Sequence, residues 1–209
     1  MSTHQHLIEV DVASLRPTQV TVGIAEVARK RAEWHELGRK DRAKRLKQQW
    51  FPSVLGPKGR YYITDHHHLG LALLEEGIES AWVTVQRDYS WLEVDRFWRV
   101  MDFHQLTHPY DEKGNRLDFS AIPKDITQLR NDSYRSLAGF VREAGGYSKD
   151  TAPFSEFLWA DFFRPQISVD LINKSPKQAV EQAIGLARSS EARYLPGWTG
   201  VPLSPASKG

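Results

Sequence analysis

Apolar and polar residues alternate over residues 6–12, with Leu7, Ile8, Val10 and Val12 on the apolar beats. A repeat of two predicts a strand with one buried face. Residues 15–18, around Pro17, break it into a loop. From residue 21 to 37, Ile24, Val27, Ala28 and Trp34 recur at helical spacing, and Gly38 interrupts that helix. Residues 41–50 resume it, with Ala43, Leu46 and Trp50 on one face. Residues 51–55 read as a short strand, 56–59 as a tight Gly-Pro-Lys-Gly turn, and 60–64 as the hairpin partner. The apolar run 69–74 predicts a helix that stops near Gly77, and 81–85 is a further strand. The order is β-α-β-β-α-β.

Beyond residue 90 the pattern is helical. Residues 91–106, 133–143, 154–163 and 176–189 carry helical periodicity, while 108–123 is turn-rich with a small hairpin at 110–115. The segment from Leu195 is rich in Pro and Gly and reads as extended or disordered. There is no internal repeat. These patterns predict an α+β fold: a small mixed-sheet domain over 1–90, a helical region over 91–198 packed on it, and a flexible tail over 199–209.

Composition narrows the chemistry. The chain of 209 residues has no cysteine, which removes thiol catalysis, disulfides and cysteine-held zinc. No apolar run approaches the roughly 18 residues of a membrane span. The first six residues lack the basic flank and apolar core of a signal peptide, so the expectation is a cytoplasmic protein with no membrane partner. Net charge is only +2, but residues 29–47 hold nine Lys/Arg against Glu33, Glu36 and Asp41. That segment reads as a solvated helical face, or as a patch that steers nucleic acid or a nucleotide.

The densest chemistry is Asp65-His66-His67-His68, where the second hairpin strand meets the next helix. A helix start offers N–H groups with no intrahelical partner and the positive end of the helix dipole. It is therefore a natural phosphate site, to which imidazoles add proton transfer or metal ligation. The plainer alternative is that Asp65 caps the helix and one or two imidazoles face water.

Phe51-Pro52-x-Val54-x-Gly56-Pro57-x-Gly59-Arg60-x-Tyr62-x-x-Asp65-His66-His67-His68 resembles the central motif of the ParB/sulfiredoxin superfamily, in its ParB-like nuclease branch. The stretches from Asp132 to Gly139 and from Pro153 to Arg164 are similar to that branch as well. The resemblance implies a ParB/sulfiredoxin-like mixed sheet and phosphate chemistry at Asp65–His68. Partition ParB proteins carry Gly-Glu-Arg-Arg at this helix start, so the Asp-His-His-His here puts a CTP-gated clamp in doubt. Sulfiredoxins need a cysteine that this chain lacks. Free-serine kinases carry Asp-Gly-His-His-Arg, matching Asp65, His67 and His68 but not His66 or Leu69.

Two mechanisms follow. In the nuclease, Asp65 holds Mg²⁺ or Mn²⁺ and His67 or His68 is the general acid or base. In the kinase, the helix mouth holds an NTP, Asp65 positions an acceptor hydroxyl and the histidines bind the transferred phosphoryl group. A third reading keeps the site for binding nucleotide or DNA without turnover. His66, Lys58, Arg60 and Arg135 are candidate phosphate contacts. Glu156, Asp161 and Arg164 share one predicted helix and are candidate substrate contacts, with an Asp161–Arg164 pair as the structural alternative. Adjacent helical residues diverge by about 100°, so at most two of the three histidines are expected to point into one site.

Overall fold

A computed structural model describes residues 6–200. It is α+β, with eight α-helices among the described residues and a mixed sheet. The chain forms two compact units, 1–132 and 133–209. Residues 91–132 thus belong with the first unit, whereas the sequence pattern groups them with the helical second half. The expected tail over 199–209 falls, from residue 201, outside the described residues, as do the first five residues.

In the first unit the four-stranded sheet has the order β1-β5-β3-β4 (β1 Ile8–Asp11, β3 Phe51–Gly56, β4 Arg60–Ile63, β5 Ser80–Asp88). The β3–β5 pair is parallel, and β1–β5 and β3–β4 are antiparallel. Helix α1 (Ile24–His35) and α3 (His67–Glu75) pack together over one face. Their core holds Val27, Trp34, Phe51, Ile63, Leu71 and Leu73. The other face meets α4 (Val94–Phe103) through Val54, Phe97 and Met101. Gly56 has no room for a side chain: a Cβ there would lie 2.5 Å from the Tyr62 ring and 2.8 Å from Phe97.

The basic segment folds as the end of α1 and as α2 (Arg39–Gln48), separated by Gly38 as expected. Part of its charge is used internally. Arg31 Nε donates to Glu76 at 2.7 Å, Arg45 Nη2 pairs with Glu33 at 3.0 Å, and Lys47 lies over the Trp82 ring. Residues 21–22 are not helical. They form β2 (Thr21–Val22), paired in parallel with β6 (Arg130–Asn131), a partner more than a hundred residues away that no local pattern can reveal.

The second unit is helical: α5 (Ser133–Glu143), α6 (Ser155–Phe163), α7 (Val169–Lys174) and α8 (Pro176–Arg188). Its core stacks Tyr147 on Trp159 at 4.1 Å and lines α8 with Ala179, Ala183 and Ala187. Helix α7 is absent from the pattern-based reading. Ser168 caps it, its hydroxyl accepting from the Leu171 amide. No helix of the described residues is long and apolar enough to cross a membrane.

Candidate functional site

Strand β4 alternates so that Tyr61 and Ile63 join the α3 side while Tyr62 packs on Phe97 and Trp98. Beyond Ile63 the chain turns, and α3 begins at His67. Its N-cap, His66, is in the left-handed region at φ 66°, which His, like Asn and Asp, tolerates better than most residues. No side chain caps this helix end. Asp65 turns back instead, its Oδ1 accepting from the His66 amide at 2.6 Å. The start of α3 therefore lies beside an exposed carboxylate. The Asp65 and His66 side chains are 72% and 41% exposed, with Asp65 Oδ2 3.8 Å from His66 Nε2.

The next two imidazoles point inward. His67 and His68 are both buried. His67 Nε2 accepts from the Thr18 amide at 3.0 Å, and His68 Nε2 accepts from the Gly23 amide at 2.9 Å. An acceptor nitrogen needs its lone pair, so each ring is in the tautomer with its proton on Nδ1. Glu26 Oε2 lies 3.5 Å from His68 Nε2. Taken alone, that distance suggests an ion pair. The shorter Gly23 contact, whose N–H proton points at the same nitrogen, argues against it.

What these rings hold is a buried loop. Residues 17–23 are buried throughout, and buried backbone amides need partners. Arg16 donates its amide to Tyr61 O and accepts from Ile63 N–H, both at 2.9 Å. The Thr18 hydroxyl donates to Ile63 O at 2.8 Å, and Thr18 O accepts from the Thr107 hydroxyl and the His108 amide. Val20 O and Val22 O accept from Arg130 and Asp132 amides. His67 and His68 complete this set from below.

Two other expected contacts, Lys58 and Arg60, lie along the β3–β4 hairpin. Lys58 sits in the 57–59 turn with φ 62°. Strand β4 separates it from Asp65, about 13 Å at 3.3 Å per residue. Arg60 shares a β4 face with Tyr62, opposite the face on which α3 packs. Arg16 lies beside the same phenol, a residue the sequence reading passed over except as part of a loop. Both guanidiniums favour the phenolate, yet burial dominates and holds Tyr62 above the usual phenol range. The Arg16 Nε is buried and has no protein acceptor.

Arg135, Glu156, Asp161 and Arg164 belong to the second unit. There Glu156 receives Arg135 Nη2 at 2.9 Å and also pairs with Arg142. Arg164 Nη2 meets Asp161 Oδ1 at 3.1 Å, the i,i+3 pair that the spacing allows.

Among the described residues no group of three or more His, Asp or Glu side chains is placed to hold a metal ion. Asp65 is a single carboxylate with one oxygen already on the His66 amide. By themselves these residues do not cage a divalent ion, and Asp65 is the carboxylate at the mouth that would meet one.

The family described as "Putative ParB-like nuclease" matches residues 8–165, most of the chain. The chain belongs to this ParB-like family. Its fold is also similar to the crystal structure of protein Atu1540 from Agrobacterium tumefaciens, with a TM-score of 0.87 and 46% sequence identity over 94% of this chain and 100% of that one. A comparison with curated proteins returns no match. The family match includes β3, β4, the Asp65–His68 stretch and α6, so both units contribute to it.

Proposed function

We propose that this ParB-like protein hydrolyses phosphodiesters of a polynucleotide at the mouth of α3. The observation that supports this reading is the exposed Asp65–His66 pair at a helix start without a side-chain cap. The phosphate is received at the positive end of α3, beside His66. His66 is the general base toward water or the general acid toward the leaving oxygen. Asp65 orients that imidazole. Their 3.8 Å separation is longer than a hydrogen bond, so this reading requires the pair to close in order to act.

In this reading His67 and His68 position rather than react. The expectation from sequence gave them the proton transfers. Their Nε2 atoms instead accept buried backbone amides, and a ring committed in that way cannot reach an exposed phosphate without freeing the loop. No step is routed through a metal ion, because the donor set does not cage one.

The test is cleavage of single- and double-stranded DNA and RNA by wild type, Asp65→Asn and His66→Gly. Cleavage by wild type that falls at least about a hundredfold in both variants, the lower end of general acid–base contributions, supports the proposal. Cleavage unchanged in the variants, or absent from wild type, overturns it.

A further inference from the structure

The β5 strand outruns its neighbour. Its ladder with β1 ends at the Ile8–Val83 pair, while β5 continues to Asp88. The space beside Thr84, Val85 and Gln86 is a cleft of about 280 Å³, also lined by His6, Ile8 and Trp50. That volume sits at the low end of small-ligand pockets. On the other side of β5 the register with β3 shifts between Ser53 and Val54, which pair with Val85 and Arg87. Gln86 is the residue left over. Such a bulge re-aims a side chain, often beside an active site. Here the Gln86 amide lies 3.4 Å from the Thr64 hydroxyl, and Thr64 immediately precedes Asp65. The cleft is thus tied to the mouth of α3.

Its other flank is cationic. Helix α2 has six Lys/Arg and one acid, Asp41, and runs directly toward Trp50. Lys40, Lys44 and Lys47 are exposed, and Lys47 Nζ lies 5.4 Å from the Trp82 ring centre, two residues before Thr84. An aromatic ring in a small cleft, polar side chains at its rim and positive charge alongside are what an unpaired base and its backbone require. A duplex hides its base faces and does not fit a cleft this size.

We propose that the cleft holds one unpaired base of a single-stranded nucleic acid, stacked on Trp50 with its edge toward Gln86 and Thr84. The backbone then runs between α2 and the mouth of α3. This deepens the function proposed above and rests on it in one respect: the strand whose base sits here is the strand whose phosphate reaches Asp65 and His66.

The experiment measures binding of labelled oligothymidylate and oligouridylate, and of a duplex, by fluorescence anisotropy at low salt. The proteins are wild type, Trp50→Ala, Trp50→Phe and Gln86→Ala. Cleavage is followed in parallel with His66→Gly. Single-strand affinity should fall about fivefold to a hundredfold in Trp50→Ala, the range for one stacked base. Trp50→Phe, which keeps a ring and guards against misfolding, should stay within a few-fold of wild type. Equal affinity of wild type and Trp50→Ala overturns the cleft, as does tighter binding of duplex or no binding of any strand. His66-dependent cleavage with Trp50-independent binding sinks the cleft and leaves the hydrolase standing. Trp50-dependent binding without hydrolysis does the reverse.

Discussion

Replacing His67 or His68 by alanine should destabilise the first unit by about 2–4 kcal/mol. Each change leaves a buried amide, that of Thr18 or of Gly23, without its imidazole acceptor. An orphaned buried donor costs about 1–3 kcal/mol. Loss of a buried ring adds roughly 1 kcal/mol of packing, at the low end for large-to-small changes because imidazole is polar. For a chain of this size that corresponds to a melting temperature lower by roughly 4–16 °C. Two units need not unfold together, so a global transition is not a sufficient readout. Amide hydrogen exchange at Thr18 and Gly23 is the sharper assay. Protection at Thr18 should drop selectively in His67→Ala and at Gly23 in His68→Ala. Substitution of His67 by Gln, whose side-chain oxygen can accept the same N–H, should restore part of the loss. If both alanine variants keep stability within about 0.5 kcal/mol and protection unchanged, the positioning role assigned to these rings is wrong.

Because His66 sits at φ 66°, His66→Gly relieves a left-handed residue and should leave stability unchanged or up by about 1 kcal/mol while abolishing cleavage; thermal melts and cleavage assays together check this. Glu76 is held below the usual carboxylate range, chiefly by the hydrogen bond from Arg31 and then by that from His35. A lowered carboxylate pKa stabilises the fold above about pH 4.3 and loses that contribution as pH falls through the folded value. Urea midpoints of wild type and Glu76→Gln should therefore differ at neutral pH and converge toward pH 3. Gly56→Ala forces a Cβ to within 2.5 Å of the Tyr62 ring in a packed aromatic cluster and should cost about 1–3 kcal/mol, read from the urea midpoint.

The local rules of the chain are enough for much of this protein. Alternation predicts β1, the turn at 56–59 marks the β3–β4 hairpin, the short segments 69–74 and 81–85 read as α3 and β5, helical spacing predicts α1, α2, α4 to α6 and α8, and glycine at 38 and 77 separates or ends helices. The strand-to-helix position of Asp65–His68 is legible for the same reason, since elements and their junctions depend on neighbouring residues. The direction each imidazole takes is not legible. His67 and His68 turn inward because a loop 49 and 45 residues earlier brings unsatisfied amides beneath α3. The β2–β6 pair, the membership of residues 91–132 in the first unit and the Gln86 bulge likewise arise from strand pairing and packing across long stretches of chain. Periodicity reports what a residue's immediate neighbours require. Only the folded chain determines which distant backbone groups must be satisfied, and at this helix mouth that requirement separates the two buried rings from the exposed Asp65 and His66.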